Sequence, residues 1–561
     1  MNLETFFEKF ELFADAPDAV AKMRELVLEL AVQGKLVEVN VSQGGGHSLL
    51  KTLRTLPPEQ NSKSRVTKEI VVEPETQLEI PSHWALTTVE NTTRETGFFC
   101  DGDWVESKDQ DPDGEVRLIQ LADIGDGEYR NRSSRFMTTA AAKRLNCSYL
   151  EPGDILIARM PDPLGRCCRF PGDSKPSVTV VDICILRPNL TFFDPDFLVV
   201  AINCPQFRRL VSMQATGTTR SRISRTNLGA LPIPLPPLAE QKRIVAKVDE
   251  LMALCDRLEA QQQEREAQAS QLARASLARF AEAPTPANLP FLFHSSFSIP
   301  PSDLRKSILT LAVQGKLVPQ DPNDEPAEDM LTKIEVQKKR LNGGGELKAD
   351  KKAWLNSAAN PPHELPESWC WVRLQDVFEI SRGGSPRPAG DPRYFGGTIP
   401  WITVGEVTKD SGKYLTQTAT GLTEEGAKRS RFINPGDLLL TNSGATLGVP
   451  KVSKIRGCMN DGVAVLRQFH SFDLNDFGYL YLTQQTTAFR DVNQGMGQPN
   501  LNTPIIAGWF FPIPPLAEQR RIVAKVEQLM ALVDALETQL AASRATAANL
   551  LAAIVAELTA S

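Results

Sequence analysis

Residues 237–254 of the chain read PLAEQKRIVAKVDELMAL, and residues 515–532 read PLAEQRRIVAKVEQLMAL. Prolines come before both copies, and proline suits the approach to a helix and its first turn. Each copy therefore predicts the start of a long helix. The copies differ where Lys242, Asp249 and Glu250 of the first correspond to Arg520, Glu527 and Gln528 of the second.

Apolar residues follow both helix starts at alternating spacings of four and three. This is the a/d pattern of two long helices that pack side by side. A single amphipathic helix on a domain surface is the simpler alternative, but two matching patterns in one chain favour pairing with each other. The pattern comprises Ile244, Val248, Leu251, Cys255 and Leu258 in the first copy, and Ile522, Val526, Leu529, Val533, Leu536 and Leu540 in the second.

Other segments also occur twice and in the same order. The sequence AVQGKLV at 31–37 recurs at 312–318, and an Ile-Pro or Leu-Pro pair stands three residues before Trp84 and Trp369. GDILI at 153–157 parallels GDLLL at 436–440. The copies lie about 280 residues apart throughout, which indicates a tandem duplication of half the chain.

The regions between these landmarks differ between the halves. Residues 85–230 and 370–510 contain short β-type runs, such as 178–186 and 398–404, broken by Gly, Pro and Asp. Each region predicts one α+β domain. The predicted segments are a helical region with a linker at 1–79, a domain at 80–236, a helix at 237–282, a central helical region with a linker at 283–364, a domain at 365–513 and a helix at 514–561.

The segments outside the two domains carry local signals. Gly34 is a candidate for the C-terminal cap of a helix. The glycine runs at 44–46 and 343–345 predict flexible joints. Residues 325–341 predict a charged helix with no clear counterpart in the first half.

The composition of the 561 residues, 41% of them hydrophobic, is that of an ordinary soluble protein. No apolar run approaches the length of a membrane helix, and the first residues lack the features of a signal peptide. The nine cysteines have no framework spacing, so we expect reduced thiols and a cytoplasmic protein. A net charge of −6 does not itself indicate nucleic-acid binding, so the local distribution of charge must decide.

Sequence signals of catalysis are weak. The chain has neither GxxxxGK[ST] nor a GxGxxG between strand and helix, and its five histidines lack metal-ligand spacing. The NPPH of residues 360–363 faintly resembles an amino-methyltransferase motif but lacks its aromatic residue. Solvated loops account for the acidic pairs Asp101/Asp103 and Asp111/Asp113. We therefore expect a non-catalytic chain without a cofactor or metal site of its own.

A stretch without acidic residues, 197–239, ends the first domain and contains the loop GTTRSRISR at 217–225. Hydroxyl and guanidinium groups bind phosphates and read guanine edges. A solvated basic loop would have the same composition, and the sequence of this loop alone does not separate the two interpretations. The candidate DNA contacts of this loop are Thr218, Thr219, Arg220, Arg222 and Arg225.

The corresponding stretch of the second half, 495–502, has no arginine and offers Gln498, Asn500 and Asn502. Their amides suit bidentate contact with adenine. Different polar groups at the same place are what two domains that read different base sequences would have. Further candidates in the turns after the Gly-Asp strands are Arg159, Arg166, Asn442 and Ser443, and weaker ones are 120–123 and 403–406.

The duplicated halves, each a variable domain followed by a PLAEQ helix, resemble the specificity subunit of type I restriction–modification systems. The AVQGKLV element is similar to the group with an extended N-terminal region. The resemblance implies two α+β target-recognition domains joined by two spacer helices that pair as an antiparallel coiled coil with pseudo-twofold symmetry. The matched spacer-helix and subunit-interface positions are Glu240, Gln241, Ile244, Val248, Leu251, Glu518, Gln519, Ile522, Val526 and Leu529.

The resemblance also implies partners. These are double-stranded DNA with a bipartite target, two adenine-N6 methyltransferase subunits, and two motor and nuclease subunits, with no membrane. S-adenosylmethionine, ATP and Mg would then belong to the partner subunits. A self-contained DNA methyltransferase or nuclease, and a coiled-coil adaptor that binds only proteins, are the alternatives.

If the first spacer helix sets the distance between half-sites, its length should control the gap in the target. Four extra residues within 260–275 add about 6 Å and just over one helical turn, which nearly preserves the orientation of the domain. At ~3.4 Å per base pair, the nonspecific gap should lengthen by one or two base pairs. Methylome sequencing of cells that carry the insertion checks this expectation. Altered half-site bases, or an unchanged gap in an active complex, would contradict it.

Overall fold

The computed structural model describes residues 16, 18–39, 45–57, 80–95, 97–217, 221–285, 287–293, 299–341, 361–469, 474–492 and 500–560. The chain separates into two compact units, one of Met1–Glu264 with Ala542–Ser561 and the other of Arg265–Ala541. The division cuts both long helices. Each unit therefore combines a mixed domain with parts of both helices, and the units do not follow the consecutive predicted segments.

The first unit contains a mixed α+β domain. Its antiparallel pair joins Ala85–Thr88 to Pro232–Leu235. A four-stranded sheet has the strand order Phe98–Asp101, Ile183–Arg187, Ile155–Ala158, Cys167–Arg169. A three-stranded sheet has the order Phe136–Met137, Val116–Ile119, Ser177–Thr179. Helical segments are Ala19–Val32, Gly46–Thr55, Glu90–Thr93, Ser107–Asp109, Leu121–Asp123, Thr139–Arg144, Pro195–Asn203, Pro205–Met213 and Arg225–Gly229, followed by the first spacer helix, Leu238–Glu282.

The second unit repeats this plan with larger sheets. Cys370–Arg373 pairs with Phe510–Ile513. A five-stranded sheet has the strand order Phe378–Arg382, Val463–Gln468, Leu438–Thr441, Pro450–Ser453, Tyr414–Leu415. A four-stranded sheet has the order Gly421–Leu422, Phe395–Ile402, Gly457–Met459, Arg431–Ile433. Helical segments are Leu289–Phe293, Pro301–Val313, Ala327–Leu341, Leu374–Val377, Val404–Val407, Glu424–Ala427, Asn475–Asp491 and Thr503–Ala507, followed by the second spacer helix, Leu516–Ala560.

The first four a/d residues of each spacer helix are buried, and the next, Leu258 or Leu536, is partly buried. The start of each helix shares a core with the end of the other, so the pairing is antiparallel, and burial of each aliphatic side chain contributes about 1.5–3 kcal/mol. In the first unit this core includes Ile244, Val248, Leu251, Cys255, Ala547, Leu551 and Leu558. In the second it includes Ile522, Val526, Leu529, Val533, Ala273 and Phe280.

A buried glutamate attaches each spacer helix to its domain. Glu240 accepts a hydrogen bond from the indole Nε1 of Trp84 at 3.0 Å, and Nε2 of His83 lies 3.1 Å from its carboxylate. In the second unit, Glu518 accepts from the indole of Trp369 at 2.9 Å and from Gln320 at 2.6 Å. A buried carboxylate is stable only when such donors satisfy it.

The adjacent glutamine extends this attachment. Oε1 of Gln241 accepts from the backbone N–H of Asp194 at 2.8 Å, and its Nε2 donates to the carbonyl of Phe192 at 2.8 Å. Gln519 donates to the carbonyl of Pro514 at 2.9 Å. The Glu-Gln pairs are thus buried at the starts of the spacer helices, within their own units, and a role of these residues at a subunit interface stays a prediction.

The AVQGKLV elements end the helices that precede each domain. Gly34 and Gly315 have φ of +67° and +69°, the left-handed conformation that glycine adopts at a helix C-terminus. A Cβ on Gly34 would lie 3.0 Å from the Trp84 ring, and one on Gly315 would lie 3.1 Å from the Trp369 ring. Glycine is therefore required both for the turn and for close contact with the tryptophan that binds the spacer helix.

A second contact joins these helices to the spacer helices. Arg24 donates to Asp256 at 2.7 Å and to Glu259 at 2.6 Å. In the second unit Arg305 makes the equivalent bonds to Asp534 and Glu537, both at 2.6 Å. These forked contacts are partly exposed, so they orient the helices more than they stabilise them.

Three sequence interpretations were wrong: the flexible joint at 44–46, the absence of a counterpart for the helix at 325–341, and the unbroken β-type runs. Gly46 is not part of a flexible joint: it begins the helix Gly46–Thr55, and a Cβ there would lie 2.1 Å from the carbonyl oxygen of Leu235. That helix is the counterpart of Ala327–Leu341, since the N–H groups of Gly46 and Ala327 donate to the residues just before the two tryptophans. The runs at 178–186 and 398–404 are also interrupted, by the turn at 180–182 and by the helix Val404–Val407. Residues 343–345 lie outside the described residues.

Removal of the indole donor should weaken the attachment of the second spacer helix. Trp369→Phe keeps an aromatic ring but removes the Nε1–H that Glu518 accepts, which should destabilise the second unit by about 1–3 kcal/mol. Glu518→Gln is the matched control. Burial raises the pKa of Glu518, so the neutral amide removes the cost of burying a charge and keeps an acceptor oxygen. Urea denaturation measures the free energy of unfolding, which should fall further in Trp369→Phe than in Glu518→Gln. An equal fall in both variants would contradict this role of the indole.

Candidate nucleic-acid interface

The Gly-Asp landmarks start the central strand of each domain. Gly153 and Gly436 have φ of +99° and +93°. The buried Asp154 pairs with Arg187, whose Nε lies 2.7 Å from Oδ1. In the second domain Arg467 pairs with Asp437 at 2.8 Å. The sequence interpretation missed both arginines, although each follows its Gly-Asp element at nearly the same distance in the chain.

The residue after this strand has the same backbone partners in both domains. The N–H of Arg159 donates to the carbonyl of Asp182 at 2.9 Å, and its carbonyl accepts from Ile223 at 3.2 Å. Asn442 is bonded in the same way to Gly462 at 2.9 Å and Leu501 at 2.8 Å. In each domain the turn after the Gly-Asp strand therefore lies beside the described end of the loop that carries the candidate DNA contacts, 221–225 of the first reading loop (217–225) and 500–502 of the second (495–502).

Arg159 and Arg166 do not present their charges to solvent. The Arg159 side chain is 8% exposed, and its guanidinium pairs with Asp101 and donates to the carbonyl of Ile223 at 2.9 Å. Arg166, buried as well, donates to the carbonyls of Ile124 at 2.8 Å and Leu121 at 2.9 Å. In this structure both guanidinium groups support the neighbouring turns, and their assignment as DNA contacts stays a prediction.

Arg222 and Arg225 lie nearer the surface of the first domain. Arg222 donates to the carbonyl of Val181 at 3.1 Å and lies 3.3 Å from Asp182, with about a third of its side chain exposed (36%). Arg225 starts the short helix Arg225–Gly229 and lies 3.4 Å from the carbonyl of Phe99. Thr218, Thr219 and Arg220 lie outside the described residues.

The amides of the second domain have different surroundings. Asn442 is 1% exposed, and within the described part of the chain its side chain has no hydrogen-bond partner. Ser443 forms a β-bridge with Asn500. Oδ1 of Asn502 accepts from the N–H of Ile505 at 2.9 Å and so caps the helix Thr503–Ala507. The cap uses Oδ1 of the Asn502 amide, and the adenine contact of this residue stays a prediction. Gln498 lies outside the described residues.

The two weaker candidates organise loops. Oδ1 of the buried Asp123 accepts from the N–H groups of Arg132 at 2.6 Å and Ser133 at 2.7 Å. Oε1 of Glu406, in the equivalent helical turn, accepts from Ala419 at 2.8 Å. Both acidic side chains therefore hold a distant loop in place, and neither segment simply ends a strand.

Across the described ranges, no group of three or more His, Cys, Asp or Glu side chains is placed to hold a metal ion. The buried thiols have pKa values raised by burial, as at Cys168, where the pKa is about 12. No helix in the described part of the chain is long and apolar enough to cross a membrane.

Comparison with known proteins identifies the family. The sequence model of the type I restriction modification DNA specificity domain matches the chain twice, at residues 102–267 and 366–543. The chain belongs to this family. The matches cover most of the first mixed domain, without its strands Ala85–Thr88 and Phe98–Asp101, the whole second domain and the starts of both spacer helices. The duplication inferred from the sequence is therefore a duplication of the specificity domain.

Curated relatives of this specificity chain match along most of its length. It is 26% identical to the type I restriction enzyme EcoAI specificity subunit of Escherichia coli, over 91% of this chain and 89% of the relative. It is 25% identical to the EcoEI specificity subunit of Escherichia coli, over 95% of this chain and 92% of the relative. Among solved structures, the HsdS subunit from Thermoanaerobacter tengcongensis matches with 21% identity and a TM-score of 0.44, over 85% of this chain and 97% of that chain.

The reading loop of the first domain should contribute to DNA affinity. Arg220→Ala combined with Arg222→Ala should weaken binding by the assembled complex, and each lost phosphate contact should reduce the log–log salt slope by about 0.9. An arginine that reads a base would instead lose ~1–3 kcal/mol of discrimination at one position. Arg169→Ala, which removes a surface arginine paired with Asp196, is the control. Unchanged affinity, slope and discrimination in the double variant would contradict the assignment.

Proposed function

We propose that this chain is the DNA sequence-specificity subunit of a type I restriction–modification complex that reads a bipartite, asymmetric target. Each domain reads one half-site, and the paired spacer helices set the gap between them. The chain also scaffolds two methyltransferase subunits and two motor and nuclease subunits. S-adenosylmethionine, ATP and Mg would be bound by those partners.

One observation is the main support for this proposal: the same attachment to a spacer helix holds two domains whose candidate DNA-contacting residues differ. Glu240 with Trp84 and Glu518 with Trp369 are equivalent pairs with nearly equal distances. The residues that follow the Gly-Asp strands and line the returning loops differ between the domains in charge and in hydrogen-bonding groups. A conserved frame with different reading groups is suited to two different base sequences on one DNA molecule.

Further support comes from the relatives, whose names describe them as the specificity subunits of larger restriction enzymes. EcoAI and EcoEI specificity subunits belong to type I restriction enzymes and match nearly the whole chain. A non-catalytic role follows for this chain if the methyltransferase and nuclease activities belong to other subunits. Methyl transfer by the purified chain alone would instead favour a self-contained enzyme. DNA binding absent both with and without the methyltransferase subunits would favour a protein-only adaptor.

Exchange of one domain tests the assignment of one half-site to each domain. Replacement of residues 85–230 by the same region of a related subunit keeps Trp84, Glu240 and both spacer helices. Methylome sequencing should then detect a target changed in one half only, with the other half and the gap preserved. A change in both halves by an assembled complex would contradict the proposal. The reciprocal exchange at 370–510 is the matched control and should change the other half.

A further inference from the structure

The segment after the first edge strand of the first domain lies beside the predicted reading loop. The N–H of Gly102 donates to the carbonyl of Ile183 at 2.8 Å, and the N–H of Asp103 donates to that of Thr179 at 2.8 Å. Asp103 also forms a β-bridge with Val180. Trp104 is the next residue in the chain, so its backbone directly follows the segment that is bonded on both sides of the turn at 180–182.

Arg222 holds the same turn from the reading loop. Its guanidinium donates to the carbonyl of Val181 at 3.1 Å and lies 3.3 Å from Asp182. The reading loop, the turn and the segment at 101–104 thus form one continuous edge from three parts of the chain. The sequence interpretation assigned only the first of these parts to DNA recognition.

The second domain builds the same edge with another side chain at the position of Trp104. The N–H groups of Gly383 and Gly384 donate to the carbonyls of Val463 at 3.0 Å and Met459 at 3.1 Å, in the register of Gly102 and Asp103. The residue that follows is Ser385, whose hydroxyl donates to the carboxylate of Asp461 at 2.5 Å. Equivalent backbone thus presents an indole in one domain and a hydroxyl paired with an acid in the other.

Trp104 differs from the structural tryptophan of its own unit. Trp104 is 66% exposed, whereas Trp84 is 1% exposed. An indole in water forgoes the free energy of burying a large apolar ring. Two acids lie near the ring in the chain: Glu106, which pairs with Lys108 at 2.7 Å and accepts a hydrogen bond from the Trp104 side chain, and Asp103, which accepts from the N–H of Ser148 at 2.9 Å. Indole rings gain burial on DNA by contact with thymine methyl groups or with base faces at an opened step.

We propose that Trp104 is a base-contacting residue of the first domain and determines its preference at one or two base pairs. The inference rests on the proposed function, since it names a reading residue within the same domain. Ser385 occupies the equivalent position in the second domain, and the difference between the two side chains contributes to the asymmetry of the target. The apolar contact adds to the polar contacts of the arginine loop.

Trp104→Ala in the assembled methyltransferase complex tests this assignment. Loss of a base contact by an aromatic ring should weaken binding roughly five- to a hundredfold. The methylome should accept other bases at one or two positions of the first half-site, while the second half-site stays unchanged. Leu190→Ala, which removes an equally exposed apolar side chain (65%) from the same unit, should leave target and affinity unchanged. A bipartite methylome identical to that of the parent, with the parent's affinity, would overturn the role of Trp104 and leave the proposed function intact.

A second measurement needs no substitution and tests the role of Trp104 even if the complex with the Trp104→Ala variant does not assemble. Hydroxyl-radical footprinting with mass spectrometry reports the oxidation of Trp104 in the complete complex. Oxidation should occur without DNA and fall on addition of a duplex that carries both half-sites. A duplex with a scrambled first half-site should protect the ring less. Equal oxidation with and without the specific duplex, or protection already present before DNA is added, would overturn the proposal.

Discussion

The hydrogen bond from a buried indole to a buried glutamate is the constraint on which each half of this protein depends. Glu240 and Glu518 lie at the starts of the spacer helices, and Trp84 and Trp369 precede the first strands of the domains. Desolvation of a carboxylate is costly, so the pair is stable only when the helix, the strand and the helix before the domain meet in one arrangement. Gly34 and Gly315 make that arrangement possible because a side chain at either position would collide with its neighbours.

This attachment separates the part of the domain that must stay constant from the part that can vary. The turns after the Gly-Asp strands keep the same backbone hydrogen bonds in both domains. The segments beside these turns carry different side chains, Arg222 and Trp104 in the first domain and Asn500 and Ser385 at the equivalent positions of the second. A frame held by main-chain bonds tolerates exchange of these side chains, because they lie at the edge of the domain and outside its buried core.

The sequence predicts the spacer helices well because an a/d pattern directly reports the buried face of a long helix. It could not predict the fate of Arg159, whose partners Asp101 and Ile223 lie 58 and 64 residues away. Charge alone does not tell whether an arginine faces DNA or supports a turn. Gly46 was misinterpreted for a similar reason, since glycine permits both flexibility and close packing, and only the approach of Leu235 distinguishes them. The importance of Trp104 depends on which segments the sheets bring together.

The most direct test of this account is a chain in which both attachments carry the same domain. Residues 85–230 would be replaced by a second copy of 370–510, with both glutamate–tryptophan pairs retained, and the methylome of cells with the assembled complex would be sequenced. If the two attachments are equivalent and each domain reads alone, the target should contain the second half-site twice, across an unchanged gap. A methylated target that still contains the first half-site, or an assembled complex that methylates no site, would contradict the account.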